Sequence, residues 1–302
     1  MGSVKKFFVD LLPGPMVRYF ARNYVGGYGI TNVFLKIDSL WDTGISSTVD
    51  LLGEFVKTEE EVRKNIHTYK SIIDTIGERR DHVSVSIKLS AFGLLFDYDI
   101  ARKSVEEVVK YAHEKGVKVT LDMEDHPYTD IILDLYKDLL KKYPDFGTVL
   151  QARLFRTEDD VSKIIEEKTP TRVRMCIGIY IEPADISYTK KPDMKKKLID
   201  YAEKLADHGH YLEYATHDPE YIRKFMELSE NKGYDKKKYE YQQLLGVPLS
   251  KIQKELVDAG NTVRLYVPLA VDKNDATAYL RRRLVANPKM AFYVIKNMFK
   301  KN

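Results

Sequence analysis

Val83-Ser-Val-Ser-Ile-Lys-Leu89 alternates without a break: Val83, Val85, Ile87 and Leu89 form one set and Ser84, Ser86 and Lys88 the other. A period of two is that of a β-strand, whose successive side chains leave opposite faces. Amphipathic stretches at helical spacing flank it, Glu59 to Thr75 before and Ile100 to Lys115 after. Outward from this centre the same unit recurs. Strands are expected at Thr48 to Leu52, Val83 to Leu89, Val117 to Met123, Thr148 to Leu154, Arg172 to Ile179, Tyr211 to Thr216, Tyr239 to Leu245 and Thr262 to Leu269. The remaining helical patterns run over Thr129 to Lys142, Glu158 to Glu167, Met194 to His208, Pro219 to Lys232, Leu249 to Ala259 and Asp275 to Ala286. Eight strand-helix units predict an α/β fold of the closed (β/α)8 type. The barrel domain is expected over residues 47–302, behind a mostly helical extension at 1–46. Gly26, Gly27 and Gly29 interrupt that extension, but no strand precedes them and their spacing is not that of a dinucleotide fingerprint.

Bulk composition fits one such barrel: 302 residues, 44% of them hydrophobic and 31% charged. No apolar run reaches the roughly 18 residues of a membrane span, and no signal-peptide pattern opens the chain, so a cytoplasmic protein is expected. The one cysteine, Cys176, excludes an internal disulfide and has no base beside it in sequence to activate it as a nucleophile. His208 and His210 lack metal-ligand spacing, so no metal is expected. A net charge of +4, with lysines clustered in loops, calls for no nucleic acid. Lys5 to Leu12 and Phe292 to Lys301 are basic and amphipathic, a pattern that serves packing or contact with a membrane surface.

The alternation matters most for what it sends inward. With the apolar sets facing the helices, Lys88, Asp122, Gln151, Arg174, Glu240 and Arg264 face the lumen, which barrels normally fill with branched aliphatic residues. Such burial is costly unless the groups pair or meet a ligand. Lys88 with Asp122 is one expected pair. On the last helix Tyr279, Arg282 and Arg283 share a face, and two guanidiniums beside a phenol suit a small carboxylic acid.

The chain resembles the flavin-dependent proline dehydrogenases. The resemblance rests on Ser86-Ile-Lys-Leu-Ser90, Leu121-Asp-Met-Glu-Asp125, Leu150-Gln-Ala152, Arg174 with Gly178 and Tyr180, Glu182-Pro183, Ala215-Thr-His217, Tyr239-Glu-Tyr-Gln242, Arg264-Leu-Tyr-Val-Pro268, and Tyr279 with Arg282-Arg283-Leu284, in family order. It implies oxidation of L-proline to Δ1-pyrroline-5-carboxylate by hydride transfer from C5 to N5 of FAD. Arg282, Arg283 and Lys88 are then expected to hold the proline carboxylate, and Tyr180, Leu244, Tyr266 and Tyr279 to wall the ring. Met123, Gln151, Arg174, Ile177, Gly178, Ile179, Thr216 and His217 are expected to hold the cofactor, with Asp122 orienting its neighbours and Arg174 acting near N5. A quinone acceptor, contact with the inner face of the membrane and a separate pyrroline-5-carboxylate dehydrogenase partner follow as further implications. The chain departs from the family at Ile177, where lysine is usual, at Ile179, where alanine is usual, and at Ala286, where glutamate is usual.

Two other readings fit parts of the pattern. Lys88 could form a Schiff base with a carbonyl substrate, as in aldolase-like barrels. A barrel that binds an amino acid without catalysis would also use the arginines.

Overall fold

The computed structural model describes residues 13–167, 170–271 and 273–286, apart from the side chains of 20, 21, 278 and 282–286. Helices α1 (Gly14–Ala21) and α2 (Ile30–Trp41) come first, with the two-residue strand β1 (Gly27–Tyr28) between them. The barrel strands follow: β2 (Ile45–Leu51), β3 (Val83–Ile87), β4 (Val119–Leu121), β5 (Gly147–Gln151), β6 (Arg172–Cys176), β7 (Tyr211–Ala215), β8 (Tyr239–Leu244) and β9 (Thr262–Ala270). Each is followed by a helix: α3 (Glu59–Ile76), α4 (Tyr98–Glu114), α5 (Thr129–Leu140), α6 (Thr157–Ile165), α7 (Lys191–Asp207), α8 (Pro219–Asn231), α9 (Ser250–Asp258) and α10 (Lys273–Ala286). Every pairing from β2 to β9 is parallel, and β9 pairs with both β8 and β2, which closes the (β/α)8 barrel.

Local chemistry starts and stops these elements. In α3 the apolar positions Val62, Tyr69, Ile72, Ile73 and Ile76 make one buried face. Thr58 accepts from the Glu61 backbone N–H at 3.3 Å while the Glu61 carboxylate accepts from Thr58 N at 3.1 Å, a capping box that fixes the start of the helix. Asp97 and Asp218 cap α4 and α8 in the simpler way.

Several strands end earlier than the alternation predicts. β3 stops at Ile87, β4 at Leu121, β5 at Gln151 and β6 at Cys176. Lys88, Asp122, Met123, Arg153, Ile177, Gly178 and Ile179 therefore stand in the connections just past the strands. At β3 a 3₁₀ turn over Leu89–Phe92 takes over, and after β6 Gly178 turns to φ 96°, where an extended strand cannot continue. β2 begins at Ile45, three residues before the strand start expected at Thr48.

The triple-glycine stretch serves packing. Gly26 N donates to Pro268 O at 2.8 Å and Gly29 N to Ala270 O at 2.9 Å, which lays β1 along β9. A Cβ on Gly26 would lie 2.4 Å from Val267 Cγ1, so only glycine lets the backbone come this close. The amphipathic stretches at 5–12 and 292–301 lie outside the described residues.

Candidate active site

Hydrogen bonds between strands that are not neighbours show that the polar set does point inward. From β6, Arg172 Nη2 donates to Thr120 Oγ1 of β4 at 2.6 Å, and from β9, Arg264 Nη1 reaches Ser84 Oγ of β3 at 3.5 Å. The lumen is a stack of buried ion pairs. At its lower level Arg264 Nε lies 2.7 Å from Glu240 Oε1, and Arg172 Nη2 lies 2.9 Å from Glu213 Oε1. Desolvation works against the Glu240 carboxylate, but Arg264 together with the hydrogen bonds from Gln242 and Tyr211 outweighs it and lowers the group to about 2.

Nearer the C-terminal ends of the strands, Arg174 Nη1 donates to Asp122 Oδ1 at 2.5 Å and Arg174 Nε to Gln242 Oε1 at 2.5 Å. Ser86 Oγ donates to Asp122 Oδ1 at 2.6 Å, and Tyr266 OH to Oδ2 at 2.6 Å. Burial disfavours the Asp122 carboxylate, yet Arg174 and Lys88 more than offset this and hold it below the usual range. The guanidinium of Arg174 sits 5.4 Å from the centre of the Tyr266 ring. Its Nη2 is buried and has no hydrogen-bond partner among the described residues.

Lys88 does pair with Asp122 as expected, but two further carboxylates share it. Its nearest carboxylate is Asp50, with Nζ 2.7 Å from Oδ1, while Asp122 Oδ2 stands at 3.3 Å and Glu54 Oε1 at 3.5 Å. Nζ also donates to Tyr266 OH at 3.0 Å. Burial pulls the lysine down, but Asp50, Tyr266 and the other carboxylates raise it well above its ordinary value. An amine paired in this way as ammonium lacks the free lone pair that a Schiff base needs, which weighs against the aldolase-like reading.

The other predicted residues gather at the same end of the barrel. Gln151 is buried, with Nε2 donating to Glu124 O at 3.0 Å. A Cβ on Gly178 would lie 2.4 Å from Gln151 Oε1, so this glycine is required both by its φ and by its neighbour. Met123 is buried, Ile177 and Gly178 half-buried, and Ile179 exposed. Thr216 is buried and accepts from Asp218 N at 3.3 Å, while His217 Nε2 accepts from Leu244 N at 2.9 Å and links the end of β8 to the loop after β7. Tyr180, Leu244 and Tyr266 are half-buried, and Tyr279 on α10 is buried. Arg282 and Arg283 belong to α10, but their side chains lie outside the described residues.

Sequence reading missed Asp50, Glu54, Glu124 and Glu213. Asp50 and Glu213 sit on strands whose alternation, Thr48-Val-Asp50 and Leu212-Glu-Tyr214, would have placed them inward. Glu54 and Glu124 lie in connections, where no periodicity operates. Glu124 accepts from Ser90 N at 2.9 Å, and its burial pushes it up to about 7. Glu182, from the quoted Glu-Pro pair, is buried with Oε2 2.6 Å from His126 Nδ1 and bridges two βα connections. Cys176 is half-buried at the end of β6, and desolvation raises its thiol to about 11, so it is not primed for attack.

A sequence model of the family described as proline dehydrogenase matches residues 34–292. The chain belongs to the proline dehydrogenase family. It is 31% identical to proline dehydrogenase 2 of Bacillus subtilis (strain 168) over 98% of this chain and 99% of that protein. It is 30% identical to the proline dehydrogenase of Deinococcus radiodurans over 93% and 90% of the two chains. The solved proline utilization A (PutA) of Bdellovibrio bacteriovorus, inactivated by N-propargylglycine, matches with a TM-score of 0.80 at 23% identity, a likeness of fold. The match covers 88% of this chain and 32% of that one, so this chain spans about a third of the longer protein. Family membership makes it an oxidoreductase. Among the described residues no helix is long and apolar enough to cross a membrane, and no cluster of three or more metal-binding side chains occurs.

Proposed function

We propose that this proline dehydrogenase family member oxidises L-proline to Δ1-pyrroline-5-carboxylate at the C-terminal mouth of the barrel, with FAD as its cofactor. The observation that carries the reading is Arg174, fixed by Asp122 and Gln242 on two of its nitrogens while the third, Nη2, is a buried donor with no acceptor among the described residues. A buried charged donor left unmet is costly, and an acceptor on a bound ligand would meet it. Gly178, whose missing Cβ opens the chain beside Gln151, supports the same fit.

In this reading Met123, Gln151, Arg174, the backbone of Ile177, Gly178 and Ile179, and the Thr216 and His217 pair hold the cofactor. The flavin, when bound, supplies the two-electron acceptor for the hydride that leaves C5. Arg282 and Arg283 fix the substrate carboxylate, and Tyr180, Leu244, Tyr266 and Tyr279 enclose the ring and keep water from it. Asp122 orients Arg174, Ser86 and Tyr266 through its two oxygens. Lys88 adds positive charge to the substrate side of the site while it remains bound to Asp50.

Further from the site, the proposal extends to a quinone as electron acceptor and to contact of the chain termini with the inner face of the membrane. It also assigns the following aldehyde-oxidising step to a separate pyrroline-5-carboxylate dehydrogenase. The purified protein is expected to be yellow, to release FAD on denaturation as identified by mass, and to bleach when L-proline is added without oxygen. A colourless protein that takes up no added FAD would overturn the reading.

A further inference from the structure

The substrate ring nitrogen must lose a proton before it can become an imine, and the residues expected to bind proline do not say where that proton goes. On the reading that proline is the substrate, we propose that Asp50 is the proton acceptor, reached through the ammonium group of Lys88. The geometry is a short relay. Lys88 Nζ lies 2.7 Å from Asp50 Oδ1 and 3.0 Å from Tyr266 OH, at the mouth where Asp122, Arg174 and Tyr266 converge. Asp50 is 1% exposed, so water does not offer the proton an alternative route at that carboxylate.

The groups facing Asp50 come from every element around it. They are Glu54 after β2, Lys88 after β3, Asp122 after β4, Tyr266 on β9 and Tyr69 on α3. Among the carboxylates Asp122 is tied to Arg174, Ser86 and Tyr266 and held low, a poor base. Among the described residues Asp50 has Lys88 as its one hydrogen-bonded charge, and its burial, aided by Asp122 and Glu54, raises it to about 6 despite that lysine. It is therefore a carboxylate at neutral pH and still basic enough to take a proton.

The step balances without any further reagent. The N–H bond of the ring ammonium breaks and its electron pair stays on nitrogen. Lys88 receives that proton as it passes one of its own to Asp50 Oδ1, so the lysine begins and ends as ammonium. The nitrogen pair becomes the second carbon–nitrogen bond when C5 gives its hydride to the enzyme's electron acceptor, which leaves the product as the protonated imine; its remaining N–H proton is lost to water after release. Because Asp50 acts through Lys88, it is a positioning residue for the proton and does not touch the substrate.

The test uses the full-length holoenzyme and the variants Asp50→Asn and Asp50→Glu. Wild-type reduction by L-proline in anaerobic stopped flow comes first; no response would sink the substrate assignment itself, and this proposal with it. Given a response, the limiting rate should fall as pH drops through about 6. Asp50→Asn should lower that rate by ~100-fold or more and abolish this limb, with KM within about threefold, whereas Asp50→Glu should keep a displaced limb and a rate within about tenfold of wild type. Independently of turnover, infrared titration should show a protonated-carboxyl band appearing near pH 6 that Asp50→Asn removes, distinct from the Glu124 band that Glu124→Gln removes. An acid limb unchanged in either variant, or an infrared band that survives Asp50→Asn, would overturn the assignment.

Discussion

Arg174 and Asp122 meet across the barrel interior, Nη1 to Oδ1 at 2.5 Å, although β4 and β6 are separated by β5. The pair joins two walls of the lumen, and Ser86 and Tyr266 converge on the same carboxylate. Removing one member strands the other, and a buried charge left without its partner typically costs 3–5 kcal/mol. Asp122→Ala should therefore destabilise the fold by about that amount and reduce cofactor retention. A double variant, Asp122→Leu with Arg174→Met, should recover much of the stability but none of the activity. Denaturant unfolding of Asp122→Leu, Arg174→Met and the double variant measures the coupling, and strictly additive losses would show that the two residues do not act as a pair.

How far the sequence revealed this arrangement depended on periodicity. Val83 to Leu89 carries seven alternating residues, so Ser86 and Lys88 could be placed inward without a structure. Arg174 and Arg264 were legible for the same reason. Strand ends were not, because they are set by local turns such as the one at Gly178 rather than by the alternation. The pairing of Lys88 with Asp122 was legible and stands at 3.3 Å, but the shorter one with Asp50 at 2.7 Å, from the other side of β3, is made by barrel closure and not by spacing along the chain.

Glu124 gives the fold a pH dependence of a definite sign. Its folded-state value is about 7 against an ordinary 4.5, so between these values the folded protein binds a proton that the unfolded chain does not. The contribution is greatest below the unfolded value and is lost as pH rises through about 7, up to ~3 kcal/mol in all. Glu124→Gln keeps an oxygen that can accept from Ser90 N and removes the titration. The variant should melt close to wild type at pH 5 and higher than wild type at pH 8. Calorimetric melts at the two pH values settle it, and an equal difference at both would remove Glu124 as the cause.

Gly178 faces two constraints, φ 96° and a neighbouring Gln151 oxygen that an added Cβ would approach to 2.4 Å. The backbone strain alone costs roughly 1–2 kcal/mol for alanine. Displacing Gln151 disturbs its bond to Glu124 O as well. Gly178→Ala should consequently purify with less flavin, read as a lower ratio of visible to ultraviolet absorbance. A normal ratio in the single variant would place the cofactor away from this loop.

Arg282 and Arg283 stand about two turns beyond Asp275 on the helix that also presents buried Tyr279, and their assigned work is with the substrate alone. A charge-assisted bond to a carboxylate contributes about 1.5–3 kcal/mol, roughly 10- to 100-fold in binding. Arg282→Met or Arg283→Met should raise the Michaelis constant for L-proline by that factor while the protein stays yellow, since neither residue is assigned to the cofactor. Lysine at either position should restore only part of the affinity, because an ammonium group cannot grip both carboxylate oxygens as a guanidinium does. Steady-state kinetics beside a visible spectrum separates the two roles: an unchanged constant would take the arginines out of substrate binding, and a colourless variant would place them with the flavin.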